Sequence, residues 1–161
     1  MSEYDVVLFA DGCHSVHNSV PDYGWIRKGR ELELKTNTGR RRLNINGAYD
    51  VDRYEWSIVF PESVNAQSTC ELFDKIETKY PNAGQIYLIC NNAKYYQSRI
   101  VSDYLARSRI KMIPLPPYSP NLNLIERLKK FFRAKILYNR YFETCEEFVQ
   151  TCKNFFRKVQ G

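Results

Sequence analysis

The sequence predicts an α/β domain in which flanking helices cover a mixed sheet that includes an antiparallel strand pair. Three observations predict this class. Short apolar runs with β-branched residues occur between segments of helical spacing, two probable strands follow each other closely, and no repeat or linker divides the 161 residues. The order of elements is strand, two paired strands, helix, strand, helix, strand and then helices. We therefore expect residues 1–161 to form one domain with antiparallel and crossover connections, the crossover helices lying behind the sheet.

The first strand is expected at residues 6–10, a short apolar run that ends at Asp11. Residues 12–39 are rich in turn-forming side chains, so they predict a loop with one short strand around Trp25 and Ile26. This interpretation places Asp11 at the carboxyl end of a buried strand.

Two further strands are expected to form the antiparallel pair. Residues 43–49 alternate apolar and polar side chains, which is the period-2 pattern of a strand, and residues 55–60 supply the second strand. The connection between them is predicted at residues 50–52. A helix should then begin after Asn65, a favourable capping residue, and end before Pro81.

The second half of the chain repeats the strand and helix pattern. Residues 86–90 form a continuous apolar run that predicts a strand, residues 98–107 have helical spacing, and residues 110–113 predict a last short strand. A proline-rich turn follows. From residue 121 the pattern is helical, and a second helix is expected over residues 146–159. The expected apolar face of the first of these helices comprises Leu124, Leu128, Phe131, Phe132 and Ile136.

The composition favours an acidic partner and argues against export. Lys and Arg number 24 against 18 Asp and Glu, which gives a net charge of +6 and makes nucleic acid the first partner to consider. No apolar run approaches the roughly 18 residues that cross a bilayer, and the first residues do not resemble a signal peptide. Five scattered cysteines without a C-x-x-C pair predict reduced thiols. We expect a cytoplasmic protein without membrane contact.

Three polar residues follow apolar segments at positions where they are expected to meet. Asp11 and Asn91 end two predicted strands, and Glu126 opens a predicted helix. Carboxylates at the ends of neighbouring strands converge on one edge of a sheet, where they can bind Mg²⁺ or Mn²⁺. Two such ions about 4 Å apart would hold the attacking and leaving oxygens of a phosphodiester. The spacing alone is weak evidence, because an aspartate at a strand end is more often a solvated turn residue.

The motifs around these residues are more specific. Residues 9–14 have the sequence FADGCH, residues 91–96 have NNAKYY, and residues 115–127 have LPPYSPNLNLIER. Together they closely resemble the catalytic domain of bacterial insertion-sequence transposases related to the mariner group, over most of the chain. In many members 34 residues separate the second and third acids, and 34 residues lie between Asn91 and Glu126.

The resemblance implies a ribonuclease-H-like fold and a catalytic triad at Asp11, residue 91 and Glu126 that binds two Mg²⁺ or Mn²⁺ ions. Asp11 would bridge the two ions, and the other two positions would each hold one. The implied reaction is metal-dependent DNA strand cleavage followed by strand transfer. Residues expected to support the site are His14, Asn92, Tyr118 and Asn123.

Several departures from the family pattern affect this expectation. Asn91 stands where the family has its second metal-binding aspartate, and it keeps a carbonyl oxygen but lacks the negative charge. We therefore expect metal binding and cleavage to be impaired. Among the other departures, Lys129 stands where members usually have tryptophan, Ser15 stands where proline is common, and Gly12 and Cys13 are also unusual. Whether Asn91 arose by decay or by deliberate inactivation stays open.

Basic residues are expected to contact DNA. The candidates are Arg40, Arg41, Arg42, Arg127, Lys129, Lys130 and Arg133. The family resemblance implies that the chain binds element ends and target DNA, forms a homo-oligomer on DNA and is associated with the nucleoid. Relatives carry a helix-turn-helix region ahead of this domain, and none is expected here because the first strand begins close to Met1.

Two alternatives from other classes remain. One is a non-catalytic DNA-binding or oligomerisation remnant of a decayed transposase, which Asn91 favours. The other is a nuclease that cuts RNA–DNA hybrids on the same fold, and the motif at residues 115–127 argues against it.

Overall fold

The computed structural model describes residues 4–18, 28, 29, 33, 35 and 41–158. Five strands form one sheet in the order β3-β2-β1-β4-β5. Neighbouring strands run antiparallel in the β3-β2-β1 half and parallel in the β1-β4-β5 half. The predicted mixed sheet with an antiparallel pair is therefore confirmed. The strands are β1 (Tyr4–Val16), β2 (Arg42–Asp50), β3 (Glu55–Val59), β4 (Ala83–Cys90) and β5 (Ile110–Pro114).

Within the described residues, four α-helices connect and cover these strands: α1 (Ala66–Lys79), α2 (Arg99–Leu105), α3 (Ile125–Phe132) and α4 (Cys145–Lys158). The predicted cap of α1 is present, because the Asn65 side chain accepts a hydrogen bond from the Ser68 N–H and the Ser68 hydroxyl accepts one from the Asn65 N–H, both at 2.9 Å. Helix α3 continues into a π-helical turn at Arg133–Leu137. In the part of the chain that the structure describes, every helix is too short or too polar to cross a membrane.

The sheet has a core on each face, so the helices form two layers. Helices α1 and α2, which make the crossover connections, pack on one face around Leu8, Phe73 and Leu88. On the other face α3 and α4 pack against Trp56, and Phe132 and Phe156 fill the space between. Because side chains alternate along a strand, β1 directs its even-numbered residues to the first core and its odd-numbered residues to the second.

The predicted end of β1 at Asp11 was wrong. The strand continues to Val16, because residues 11–16 pair with β2 in an antiparallel ladder that runs from Asp11 opposite Gly47 to Val16 opposite Arg42. Residues 12–16 are thus strand and not the predicted loop. The short strand expected around Trp25 and Ile26 lies outside the described residues.

The predicted apolar face of α3 was also partly wrong. Phe132 and Ile136 are buried as expected, but Phe131 is 47% exposed. Ile125, at the first position of the helix, is 3% exposed and takes part in the core instead. The buried side of α3 is therefore defined by Ile125 and Phe132, and Phe131 does not belong to it.

Candidate functional site

The site lies where β1 and β4 separate. Their parallel pairing ends with Ala10 opposite Cys90, after which β1 continues beside β2 alone. Asp11 is the first residue past this point on β1, and Asn91 is the first residue past β4. The ends of adjacent parallel strands thus bring two residues together that are far apart in the chain, at the edge where open α/β sheets bind ligands.

The Asp11 carboxylate is almost fully enclosed, with 5% of its side chain exposed. Its Oδ1 accepts hydrogen bonds from the Gly12 N–H and from Asn91 Nδ2, each at 2.8 Å. Its Oδ2 accepts one from the Lys129 ammonium. Both oxygens of the carboxylate are therefore already occupied by hydrogen-bond donors.

Asn91 acts as a donor in this site. Its Nδ2 points to Asp11, while its Oδ1 accepts a hydrogen bond from the Ala93 N–H at 3.1 Å. Only this orientation satisfies both partners, because an ionised carboxylate can only accept and an N–H can only donate. The one oxygen that Asn91 could offer to a cation is thus turned away from Asp11.

Asn123 holds the start of α3 against β1. Its Nδ2 donates to the Ala10 carbonyl at 3.2 Å, and its Oδ1 accepts from the Ile125 N–H at 3.3 Å. The residue is 4% exposed. By tying the helix start to the residue before Asp11, Asn123 positions Glu126, whose side chain is 42% exposed.

Lys129 lies inside the site and does not face outward as predicted. Its ammonium contacts Asp11 Oδ2 and lies 3.3 Å from Glu126 Oε1, and only 14% of its side chain is exposed. A sequence signal for this placement exists, because residues 125, 129, 132 and 136 follow the three- and four-residue spacing of one helix face. Lys129 therefore lies on the buried side of α3 and links the two carboxylates.

The charges in the site depend on burial. Desolvation raises the pKa of the Asp11 carboxyl above its ordinary value, against the opposing attraction of Lys129. Desolvation also acts to lower the pKa of Lys129, but the attraction and hydrogen bond of Asp11 outweigh it, so the pKa of the ammonium is raised. Lys129 is thus a fixed positive charge at neutral pH.

An open cleft of about 360 Å³ lies above these residues and is lined by Asp11, Asn91 and Glu126. The proline-rich segment 115–119 forms one wall, and Asn92 Nδ2 donates to the Leu115 carbonyl at 2.8 Å, which joins this wall to the end of β4. Tyr118 is fully exposed at the cleft, in a left-handed backbone conformation with φ of 59°. Asn92, Tyr118 and Asn123 are therefore all brought to the site.

His14 is not brought to the carboxylates. Strand alternation directs it to the face of β1 opposite Asp11, and it is exposed. The basic residues are more widely spread. Arg127 and Lys130 are exposed on α3, and Arg133 is exposed at the start of the π-helical turn that follows it. Arg41 pairs with Glu146 at 3.5 Å on the surface, and Arg42 is exposed at the start of β2. Arg40 lies outside the described residues.

The arrangement does not fit a bound divalent cation. Within the described ranges, no group of three histidine, cysteine, aspartate or glutamate side chains is placed to hold a metal ion. The two carboxylates that converge are bridged by an ammonium, and the third position offers an amide nitrogen. A cation would have to displace Lys129 from Asp11 to enter.

Comparisons with known proteins agree with this fold. The sequence model of the DDE superfamily endonucleases matches residues 6–149. No curated protein sequence gives a match. Similar solved structures include the catalytic domain of Mos1 mariner transposase (TM-score 0.65, 16% identity, covering 94% of this chain and 69% of that chain) and the mariner Mos1 paired-end complex with Mg (TM-score 0.70, 18% identity, 95% and 48%). The HTLV-2 integrase catalytic core domain in complex with magnesium has a TM-score of 0.57 at 10% identity, covering 98% and 85%.

These similarities confirm the expected ribonuclease-H-like fold. At such low identities the structural matches show the fold alone. The chain spans about half the length of the Mos1 chains in the DNA complexes, with 47% of one of them covered.

Proposed function

Because the chain belongs to the DDE superfamily endonucleases, we propose that it is the catalytic domain of a DNA transposase whose strand cleavage and strand transfer are impaired by Asn91. One observation carries the proposal. Asp11, Asn91 and Glu126 converge in a single open cleft at the end of β4, where β1 separates from it, and they are the three positions that the family motifs identify.

The impairment follows from the contacts of residue 91. Asn91 donates a hydrogen bond to Asp11, where an aspartate would add a negative charge. An intact site of this family would be expected to hold two Mg²⁺ or Mn²⁺ ions, and the Mos1 complexes with Mn and Mg support divalent metal use by relatives. This chain supplies two carboxylates, and both already bind Lys129.

DNA is the partner in this proposal. Exposed Arg127 and Lys130 lie on the helix that carries Glu126, and exposed Arg133 opens the π-helical turn that continues it. A phosphate backbone bound along α3 would therefore reach the cleft. Mos1 relatives were solved with transposon-end DNA. As further parts of the proposal, the chain assembles as a homo-oligomer on DNA, acts in the cytoplasm on nucleoid DNA, and leaves recognition of element ends to a region outside this domain.

The test is manganese-dependent nicking of supercoiled plasmid by the chain and its Asn91→Asp variant. We expect little or no nicking by the chain and a clear gain by the variant, because the third carboxylate is restored. The control is Asp11→Ala in the variant background, which should remove the gain. Nicking by the unchanged chain that Asp11→Ala abolishes would contradict the impairment.

A second candidate is a non-catalytic DNA-binding or oligomerisation remnant, and the ammonium that bridges Asp11 and Glu126 favours it. DNA binding without nicking by either protein would support this candidate over the first. A nuclease for RNA–DNA hybrids on the same fold would instead cut a hybrid duplex faster than a DNA duplex of the same sequence, so both substrates belong in the assay.

A further inference from the structure

We propose that the Lys129 ammonium is a resident counter-ion that takes the place of a divalent cation between Asp11 and Glu126, and that it limits metal binding independently of Asn91. The inference deepens the proposed function in that it concerns the same cleft. It assigns the loss of metal binding to two positions on different elements, one at the end of β4 and one on α3.

The position of the ammonium is the first argument. Its nitrogen contacts Asp11 Oδ2 and lies 3.3 Å from Glu126 Oε1. A hard divalent cation binds carboxylate oxygens at about 2.0–2.6 Å, so it would need the space that the ammonium holds. Two cations this close would also repel each other, and little solvent screens the repulsion because only 14% of the Lys129 side chain and 5% of the Asp11 side chain are exposed.

The second argument is that the ammonium is held in place. Lys129 is on the buried side of α3, and only 14% of its side chain is exposed. Lys129 also lines a small cavity of about 20 Å³ together with Trp56, Phe132 and Phe156. If the ammonium left Asp11, it would leave behind a carboxylate that is itself buried, which is costly.

Lys130 supplies a matched comparison. It is the next residue on the same helix, carries the same charge and is exposed. Removing the Lys130 charge changes the net charge of the protein as much as removing the Lys129 charge, but it leaves the contacts with Asp11 and Glu126 unchanged. A difference between the two variants therefore measures the local contact and not the overall charge.

The experiment is titration calorimetry of the metal-free protein with MnCl₂ in the absence of DNA. The proteins compared are the unchanged chain, Lys129→Met, Lys130→Met, and Lys129→Met combined with Asn91→Asp. We expect Mn²⁺ to bind Lys129→Met at least about tenfold more tightly than the unchanged chain or Lys130→Met. The double variant should bind more tightly again.

Equal Mn²⁺ affinity of Lys129→Met, Lys130→Met and the unchanged chain would overturn the inference. If Lys129→Met does not fold by circular dichroism, Lys129→Gln replaces it, since the glutamine amide can still donate to Asp11 without a charge. Calorimetry measures metal binding without DNA, whereas the nicking assay measures cleavage, so failure of this inference and failure of the proposed function are seen separately.

Discussion

Replacing Asn91 by aspartate should destabilise the metal-free protein even though it restores the family residue. Asn91 Nδ2 lies 2.8 Å from Asp11 Oδ1 and donates a hydrogen bond to it. In the variant, a carboxylate oxygen replaces this donor and faces a carboxylate whose side chain is 5% exposed. The stabilising contact is lost and a repulsive one takes its place.

The size of the effect follows from these contacts. A hydrogen bond to a charged group contributes about 1.5–3 kcal/mol, and two like charges at this separation add repulsion that water and Lys129 reduce because position 91 is exposed. Asn91→Asp should therefore lower the free energy of unfolding by about 2–3 kcal/mol. For a domain of this length, that corresponds to a fall in melting temperature of about 5–10 °C.

The loss of stability caused by Asn91→Asp should grow as the pH rises. Burial already raises the pKa of Asp11, and a second carboxylate beside it raises the pKa of the pair further in the folded state. A group whose pKa is raised by folding favours the folded state below its ordinary pKa, and this contribution is lost as pH rises through the raised value. The melting temperature of the variant should therefore approach that of the unchanged chain near pH 4 and fall well below it at pH 8.

The assay is thermal unfolding followed by circular dichroism in EDTA at several pH values between 4 and 8. Asn92→Asp is the matched control, because it adds the same negative charge at an exposed position one residue away. The Asn92 amide donates to the neutral Leu115 carbonyl, at 2.8 Å, and not to a carboxylate. The reasoning is refuted if Asn91→Asp melts no lower than Asn92→Asp at pH 8, or if the difference does not shrink as the pH falls.

Two further predictions concern α3. Asn123→Ala removes buried hydrogen bonds to the Ala10 carbonyl and the Ile125 N–H, so urea unfolding should show a loss of about 1–3 kcal/mol; an unchanged midpoint would contradict the role of Asn123 in holding the helix. Combined Lys130→Ala and Arg133→Ala substitutions should weaken DNA binding at all sequences and reduce the slope of log affinity against log salt by about 2. Fluorescence anisotropy in a KCl series measures this slope, and an unchanged slope would place the DNA elsewhere.

Much of the fold was predictable because local sequence determined it. The run at residues 86–90 indicated a strand, and β4 confirms it, since a strand covered on both faces has apolar side chains along its length. The β1 extension was not predictable in this way. Gly12 is typical of turns, and the strand conformation there depends on pairing with β2, about 30 residues further along the chain.

The candidate site, too, was predictable only in part from the sequence. The motifs and their spacing indicated that Asp11, Asn91 and Glu126 belong together, and the strand ends bring them to one cleft. The role of Lys129 was missed because it was grouped with its basic neighbours as a surface charge. Charge pattern alone cannot separate Lys129 from Lys130. The distinction depends on which side of α3 packs against the sheet, and that is set by tertiary contacts with Trp56 and Phe156.

The distance along the chain between the residues of the site has a consequence for the folding pathway. Asp11 bonds to Asn91 and Lys129, which lie 80 and 118 residues further on, and Ala10 bonds to Asn123 across 113 residues. Contacts of such high sequence separation form slowly, because loop closure must precede them. During synthesis, the Asp11 side chain therefore lacks the Lys129 contact until α3 docks. The site is then a late product of folding, and any ligand that recognises it selects chains in which the two halves of the sheet and α3 have already come together.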